Sequence, residues 1–124
     1  MYNQTILLET LQWIEDCLLH VIQRTENIGT PGDFVNTPHG VDMLDVASIR
    51  LMAVGEEINK INQKTKGELL KNYPEIDWKA IVAFRNFVAH TYHEINATNV
   101  FNAVKKDVNP LLETVRKMKL DIRV

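Results

Sequence analysis

Arg85 and Asn86 are the only polar residues in the apolar run 80–89, and His90 follows that run directly. A histidine titrates near neutrality and can take or give a proton. An arginine is a fixed cation whose forked donors match a phosphate, and an asparagine can orient either side chain. These residue types suit attack of an RNA 2′-hydroxyl on its own 3′-phosphate, with His90 as acid or base and Arg85 stabilising the phosphorane charge. The route needs no metal and no cofactor, and DNA lacks the attacking hydroxyl.

The spacing of these residues on a helix limits what one chain can do with them. Asn86 and His90 are four residues apart and share a face, whereas Arg85 and Tyr92 are seven apart and share the neighbouring face. Arg85 and His90 point about 140° apart at about 100° per residue. One chain therefore flanks a groove with the two side chains. A two-fold axis along this helix would bring two copies of each into one composite cleft.

The helix that carries these residues is apolar around its whole circumference, which is typical of a helix buried on all sides. In a bundle of this size, one face of each helix normally meets water. The helix therefore needs either a central position or a second chain against its outer face. We favour the second chain and predict a homodimer that buries part of this helix.

Two further helices are predicted before this one. Apolar residues at helical spacing predict a helix over residues 5–22 and another from Pro38 to about residue 62, with Thr37 as its N-cap. Residues 28–40 between them carry three of the five glycines and two of the four prolines, which predicts a loop. Cys17 lies on the apolar face of the first helix and is expected in the core.

The second half of the chain continues the helical pattern. A short helix around residues 68–72 should end before Pro74, and Asp77 should cap the helix over residues 78 to about 92. Asn96 should cap the last helix, and Pro110 should kink it because its backbone lacks an N–H donor. No strand-like alternation occurs. The sequence predicts one domain over residues 1–124, an all-α, antiparallel up-and-down bundle of four long helices plus a short one.

Composition narrows the class of protein. Hydrophobic residues make up 45% of the 124 residues, and the single cysteine excludes an internal disulfide, which fits a reducing compartment. No apolar run approaches the ~20 residues that span a bilayer, and the N-terminus has no signal-peptide pattern, so we expect a cytoplasmic protein without a membrane partner. Residues 1–58 carry a charge of −7 and residues 59–124 carry +5. This division marks either a surface that faces a polyanion or ordinary solvated helix faces.

The motif Arg85-Asn86-x-x-x-His90-x-Tyr92 resembles the R-x4-H-x-Y pattern of HEPN-domain toxins of the HepT type. Its surroundings agree: Tyr73-Pro74 and Trp78 before the motif, Gly55-Glu56 in the second long helix, and Phe34 in the preceding loop. The resemblance covers residues 34–92 in its motifs and the entire chain in size and helix order.

The resemblance implies the toxin component of a toxin–antitoxin system, a metal-independent endoribonuclease that cleaves tRNA or mRNA. It implies a HEPN-like homodimer with two motifs at the interface, in which Arg85, Asn86 and His90 are catalytic. It also implies an antitoxin partner, an MntA-like nucleotidyltransferase that transfers AMP to Tyr92. AMP at that position would place bulk and negative charge in the RNA cleft, which would block it.

The sequence also allows other functions for the chain and other roles for these residues. A non-catalytic HEPN module could bind nucleotide or serve as the substrate-binding subunit of a nucleotidyltransferase, and a third possibility is a purely structural dimerising bundle. Arg85 could form an ion pair with Glu56 or Glu57 instead of facing a phosphate. His93 follows His90 by three residues, as in some metal sites, but the sequence offers no third ligand at a suitable spacing, so we expect no metal.

Overall fold

The computed structural model describes residues 3–91 and 96–123, and for residues 85–91 it describes the backbone alone. The described residues form helices and no strand, which confirms the all-α class. The α-helices are α1 (Gln4–Arg24), α2 (Pro38–Lys64), α3 (Trp78–Thr91), α4 (Ala97–Asn102) and α5 (Val108–Arg123). Short 3-10 turns occupy Pro31–Phe34 and Leu70–Asn72, and a π-helical turn, Ala103–Asp107, joins α4 to α5. The short predicted helix before Pro74 is thus a single 3-10 turn.

Side-chain caps fix where the helices begin. Thr37 Oγ1 accepts a hydrogen bond of 2.9 Å from the Gly40 N–H, and Asp77 Oδ1 accepts one of 3.1 Å from the Ala80 N–H. Asn96 Oδ1 accepts from the N–H groups of the second and third residues after it, at 2.9 and 3.2 Å. All three predicted caps are confirmed. Each satisfies a donor that the helix itself leaves unpaired, which stabilises a helix by about 1 kcal/mol.

The helices surround one apolar core. α2 lies between α1 and α3, and α1 also packs against α5. Cys17 is 2% exposed, which confirms its core position, and Phe34 from the connecting loop is fully buried. The largest fully buried aliphatic side chains come from α1, α2, α4 and α5: Leu11, Ile14, Leu18, Val21, Val54, Ile58, Ile61, Val100, Leu111 and Met118.

The loop between α1 and α2 folds back closely onto the start of α2. A Cβ at Gly40 would lie 2.0 Å from the backbone oxygen of Asp33, a distance that no side chain tolerates. Glycine therefore allows the 3-10 turn to pack against the first turn of α2, which brings Phe34 into the core.

The last helix is irregular before its proline. The sequence predicts a kink at Pro110, and the structure places the π-helical turn Ala103–Asp107 three residues ahead of it. There the N–H of Val108 bonds to the carbonyl of Ala103, five residues back. A proline ring crowds the carbonyl four residues before it, which is that of Lys106 inside the wider turn. The proline marks the irregular region, but tertiary packing decides its form.

A charged network joins α1 to α5. Lys119 Nζ lies 2.8 Å from Glu15 Oε1, and Arg116 Nε lies 3.6 Å from Glu15 Oε2. The hydrogen bond from Lys119 holds the pKa of Glu15 below its ordinary value. Only 12% of the Lys119 side chain and 14% of the Glu15 side chain are exposed, so the pair is screened little by solvent.

Candidate functional site

The backbone of α3 carries three of the four candidate residues. Arg85, Asn86 and His90 all lie within Trp78–Thr91, and the helix runs unbroken through them. The angular relations predicted from the spacing therefore hold for the backbone: Asn86 and His90 share a face, and Arg85 is turned about 140° from His90. The side chains of these residues, and Tyr92 as a whole, lie outside the described residues.

Two hydrogen bonds connect the start of α3 to the last helix, α5. Trp78 Nε1 donates a hydrogen bond of 2.9 Å to the carbonyl of Tyr73, and the Tyr73 hydroxyl donates one of 2.7 Å to Asp121 Oδ2 on α5. Tyr73 is 4% exposed, and Lys117 Nζ lies 5.7 Å from its ring centroid. These contacts, with the Asp77 cap, position the first turn of α3.

Burial, together with the hydrogen bond to Asp121, raises the pKa of the Tyr73 hydroxyl to about 12. The hydroxyl therefore stays protonated at neutral pH and remains a donor to Asp121. Tyr73 and Trp78 were already part of the motif context in the sequence. Asp121 carries no sequence signal, because it is 48 residues away and reaches Tyr73 only in the folded chain.

The first half of α3 packs against α2. Leu51 and Val54 of α2 face Ile81 and Phe84 of α3 across a small apolar cavity of about 40 Å³. An apolar space of this size does not accommodate an RNA substrate. The cavity is therefore a gap in the packing between helices and not the RNA-binding site.

Ser48 lies on α2, the helix that packs against α3. Ser48 is fully buried, and its hydroxyl has no hydrogen-bond partner in the described part of the chain. A buried hydroxyl without a partner normally destabilises a fold by about 1–3 kcal/mol. The sequence did not single out Ser48, because a serine among apolar residues of a helix carries no distinctive signal.

The first half of α3 is not buried within one chain. Among residues 78–84 none is fully buried: Ala80 and Ala83 are exposed, and the larger apolar side chains are half-buried, namely Trp78, Ile81, Val82 and Phe84. A central position inside the monomer therefore does not explain the apolar circumference of this half. The homodimer through α3 stays a prediction.

The described residues also bear on the alternatives of an ion pair, a metal site and a membrane span. Glu57 Oε1 lies 3.5 Å from Lys60 Nζ, whereas any ion pair of Arg85 lies outside the described residues. Within residues 3–84 and 96–123, whose side chains are described, no three His, Cys, Asp or Glu side chains are grouped so that they could hold a metal, and His90 and His93 lie outside that part. None of the described helices is both long and apolar enough to cross a membrane.

Comparison with known proteins identifies a family. Residues 7–118 match the protein family described as Ribonuclease HepT-like, a span that contains Arg85, Asn86, His90 and Tyr92. No curated protein and no solved structure matches the chain significantly.

Proposed function

We propose, because this chain belongs to the ribonuclease HepT-like family, that it is the toxin of a toxin–antitoxin pair and cleaves RNA without a metal ion. The observation that carries the proposal is the family match over residues 7–118, with the complete set Arg85, Asn86, His90 and Tyr92 inside it. The unbroken helix through residues 85–91 supports it, since the spacing of the motif has a chemical meaning only on a helix.

The proposed reaction is attack of a 2′-hydroxyl oxygen on the adjacent phosphorus. His90 takes the proton of that hydroxyl, and Arg85 stabilises the extra negative charge on the phosphorane. The bond from phosphorus to the 5′-oxygen then breaks, and that oxygen takes a proton from an imidazolium, either the same His90 or that of a second copy. The products are a 2′,3′-cyclic phosphate and a free 5′-hydroxyl. Asn86, on the same face as His90, orients the imidazole.

The proposed active form is a homodimer in which the α3 helices of two copies line one cleft. Support comes from the apolar residues of α3 that remain half-exposed in a single chain. It also comes from charge, since residues 59–124, which contain α3, carry +5 in total and suit a polyanion.

The proposed control of this activity is covalent. The antitoxin, an MntA-like nucleotidyltransferase, transfers AMP to the hydroxyl of Tyr92. The added phosphate is negative and bulky, so it would compete with the RNA phosphate for Arg85. Modified protein would then be inactive although its fold is unchanged.

Expression of the chain without its partner tests the proposal. We expect growth arrest and RNA fragments that end in a 2′,3′-cyclic phosphate, formed equally well in the presence of a metal chelator. His90→Ala should abolish both effects, whereas the matched control His39→Ala, at an exposed position at the start of α2, should retain them. If His90→Ala is as toxic as the parent, the catalytic assignment is wrong.

Mass spectrometry after co-expression with an MntA-like nucleotidyltransferase tests the control step. We expect AMP on Tyr92 and none on Tyr92→Phe. Tight co-purification with no RNA cleavage by the unmodified protein would instead support the non-catalytic, substrate-binding alternative.

A further inference from the structure

We infer that a second copy of this chain docks on the outer face of α1 and α2, through a two-fold contact centred on Trp13. This contact is separate from the α3 contact of the proposed function. The surface is a shallow groove of about 300 Å³ lined by Ile6, Glu9, Thr10, Trp13 and Glu57. We call it the α1–α2 surface, together with Arg50, His20 and Arg24, which continue it toward the end of α1. Ile6 is 51% exposed and Trp13 is 40% exposed, so two large apolar side chains face water here.

The charges on this surface are separated along the helices. Glu9 and Glu57 lie at one end, beside Ile6. Arg50 lies at the other end, with its Nη1 3.6 Å from Cys17 Sγ. Glu57 Oε1 also lies 3.5 Å from Lys60 Nζ, so the acidic charge at the Ile6 end belongs to Glu9 and to a Glu57 that Lys60 partly neutralises, whereas the Arg50 end is basic.

Two more groups extend the basic end. Burial lowers the pKa of His20, and the positive charges of Arg50 and Arg24 lower it further, which places both arginines near this imidazole. Arg24 and Arg50 are the only two basic residues in the first 58 positions other than histidine, and the fold brings them together. No carboxylate among the described residues forms an ion pair with either of them.

Two carboxylates lie near the residues of the basic end: that of Asp33, which lines a separate cavity together with Arg24, and that of Asp16. Its Oδ1 accepts a hydrogen bond of 3.0 Å from Gln12, and the Gln12 oxygen in turn accepts from Lys119 of α5. Asp16 is therefore on the α5 side of α1, away from α2. The basic charge at this end of the groove therefore belongs mainly to Arg50.

The register of α1 against α2 places the symmetry axis. Glu57 shares the groove with Thr10, and Arg50 contacts Cys17, so these two charges lie at the levels of residues 10 and 17 of α1. Halfway between these levels are Trp13, which is exposed, and Ile14, which is fully buried. A two-fold axis beside Trp13 therefore places Glu57 of each copy opposite Arg50 of the other, and Trp13 against its own equivalent.

This arrangement favours a second copy over other occupants. A two-fold contact requires a surface that is complementary to itself, and here Glu57 and Arg50 lie on opposite sides of the exposed Trp13 along the helices. An aromatic centre with charges at the rim is typical of protein–protein contacts. Ala53, a small, half-buried residue midway between Arg50 and Glu57 on α2, allows two helix pairs to approach closely. RNA fits poorly, because Glu9 and Glu57 would repel its phosphates.

Exchange of the two charges tests the contact by sedimentation velocity on the full chain. Glu57→Arg alone places like charges opposite each other twice, and so does Arg50→Glu alone. Each should weaken self-association through this surface at least about tenfold, since two ion pairs are replaced by two repulsions. A mixture of the two variants should restore it, because every pair across the axis then joins an arginine to a glutamate.

The matched control is Glu113→Arg, at an exposed position on α5, which should associate like the parent. Single variants that associate like the parent, or a mixture that stays dissociated, would overturn the inference. Circular dichroism shows whether each variant is folded. Restored association in the mixture would also show that both single variants are folded.

A cross-link gives a second, independent readout. Trp13→Cys places a thiol beside the axis and should form a disulfide-linked dimer under mild oxidation, whereas the parent, with only the buried Cys17, should not. Absence of this dimer, with the parent assembly intact, would also contradict the contact. These measurements do not depend on RNA cleavage or on the outcome of the His90→Ala experiment, so failure of the proposed function and failure of this contact are distinguishable.

Discussion

The Tyr73 hydroxyl donates a 2.7 Å hydrogen bond to Asp121 Oδ2, which joins the segment before α3 to the last turns of α5. The same tyrosine accepts through its backbone from Trp78, the first residue of α3. The helix that carries the motif is therefore held at its start by a contact between residues 48 positions apart. The stability and orientation of α3 depend on it.

Replacement of this hydroxyl should weaken the fold moderately. Tyr73→Phe removes the donor, but Asp121 is exposed and can bind water instead, so we expect a loss of about 0.5–1.5 kcal/mol in the free energy of unfolding. Urea denaturation measures this loss. Asp121→Asn is the control, since its amide oxygen still accepts from Tyr73, and it should lose less than Tyr73→Phe does.

The same pair predicts a dependence on alkaline pH. The pKa of Tyr73 is about 12 in the folded chain, above its value of about 10 in an unfolded chain. A group whose folded pKa is raised contributes stability that is complete below the unfolded pKa and is lost as pH rises through the folded one. The difference in stability between the parent and Tyr73→Phe should therefore shrink between those two values. A phenolate absorbance titration should show one late tyrosine that is missing in Tyr73→Phe.

Glu15 predicts the opposite dependence at acid pH. The hydrogen bond from Lys119 lowers its pKa below the ordinary 4.5. Stability from this carboxylate is therefore complete above that value and is lost as pH falls through the lower folded pKa. Glu15→Gln should lose about 1–2 kcal/mol at neutral pH, and the loss should disappear in acid. Denaturation at several pH values tests this, with the exposed Glu113→Gln as a control that changes little.

Gly40 should tolerate no side chain. The Cβ of Gly40→Ala would meet the Asp33 backbone oxygen at 2.0 Å, so the 3-10 turn would have to move away from α2 and pull Phe34 from the core. We expect a loss of about 1–3 kcal/mol or more in the free energy of unfolding. Gly29→Ala is the matched control in the same loop, because its Cβ would only touch the Asp33 carboxylate at 3.6 Å. Equal stability of the two variants would contradict this account of the loop.

Ser48→Ala should be neutral or slightly stabilising. Its hydroxyl is fully buried without a partner among the described residues, so removing it relieves a desolvation penalty and breaks no hydrogen bond. Thermal unfolding measures the change. A decrease of more than about 1 kcal/mol would mean that the hydroxyl is hydrogen-bonded in solution.

The sequence by itself determined the features that depend on neighbouring residues. Thr37, Asp77 and Asn96 cap their helices because a short polar side chain bonds to N–H groups two or three residues ahead. The apolar periodicity placed the core face of α1, including Cys17, since a helix repeats its face every three to four residues. The motif on α3 was likewise readable from residue type and spacing, and its side-chain geometry lies outside the described residues.

Only the tertiary structure decided the contacts between distant segments. Asp121 meets Tyr73, Lys119 meets Glu15, and Arg50 joins Arg24 near His20, although no local pattern connects these positions. Such pairs depend on the register and rotation of packed helices, and many residues together set those quantities. The π-helical turn before Pro110 belongs to the same class: the proline forbids a regular helix there, but packing selects how the chain departs from it.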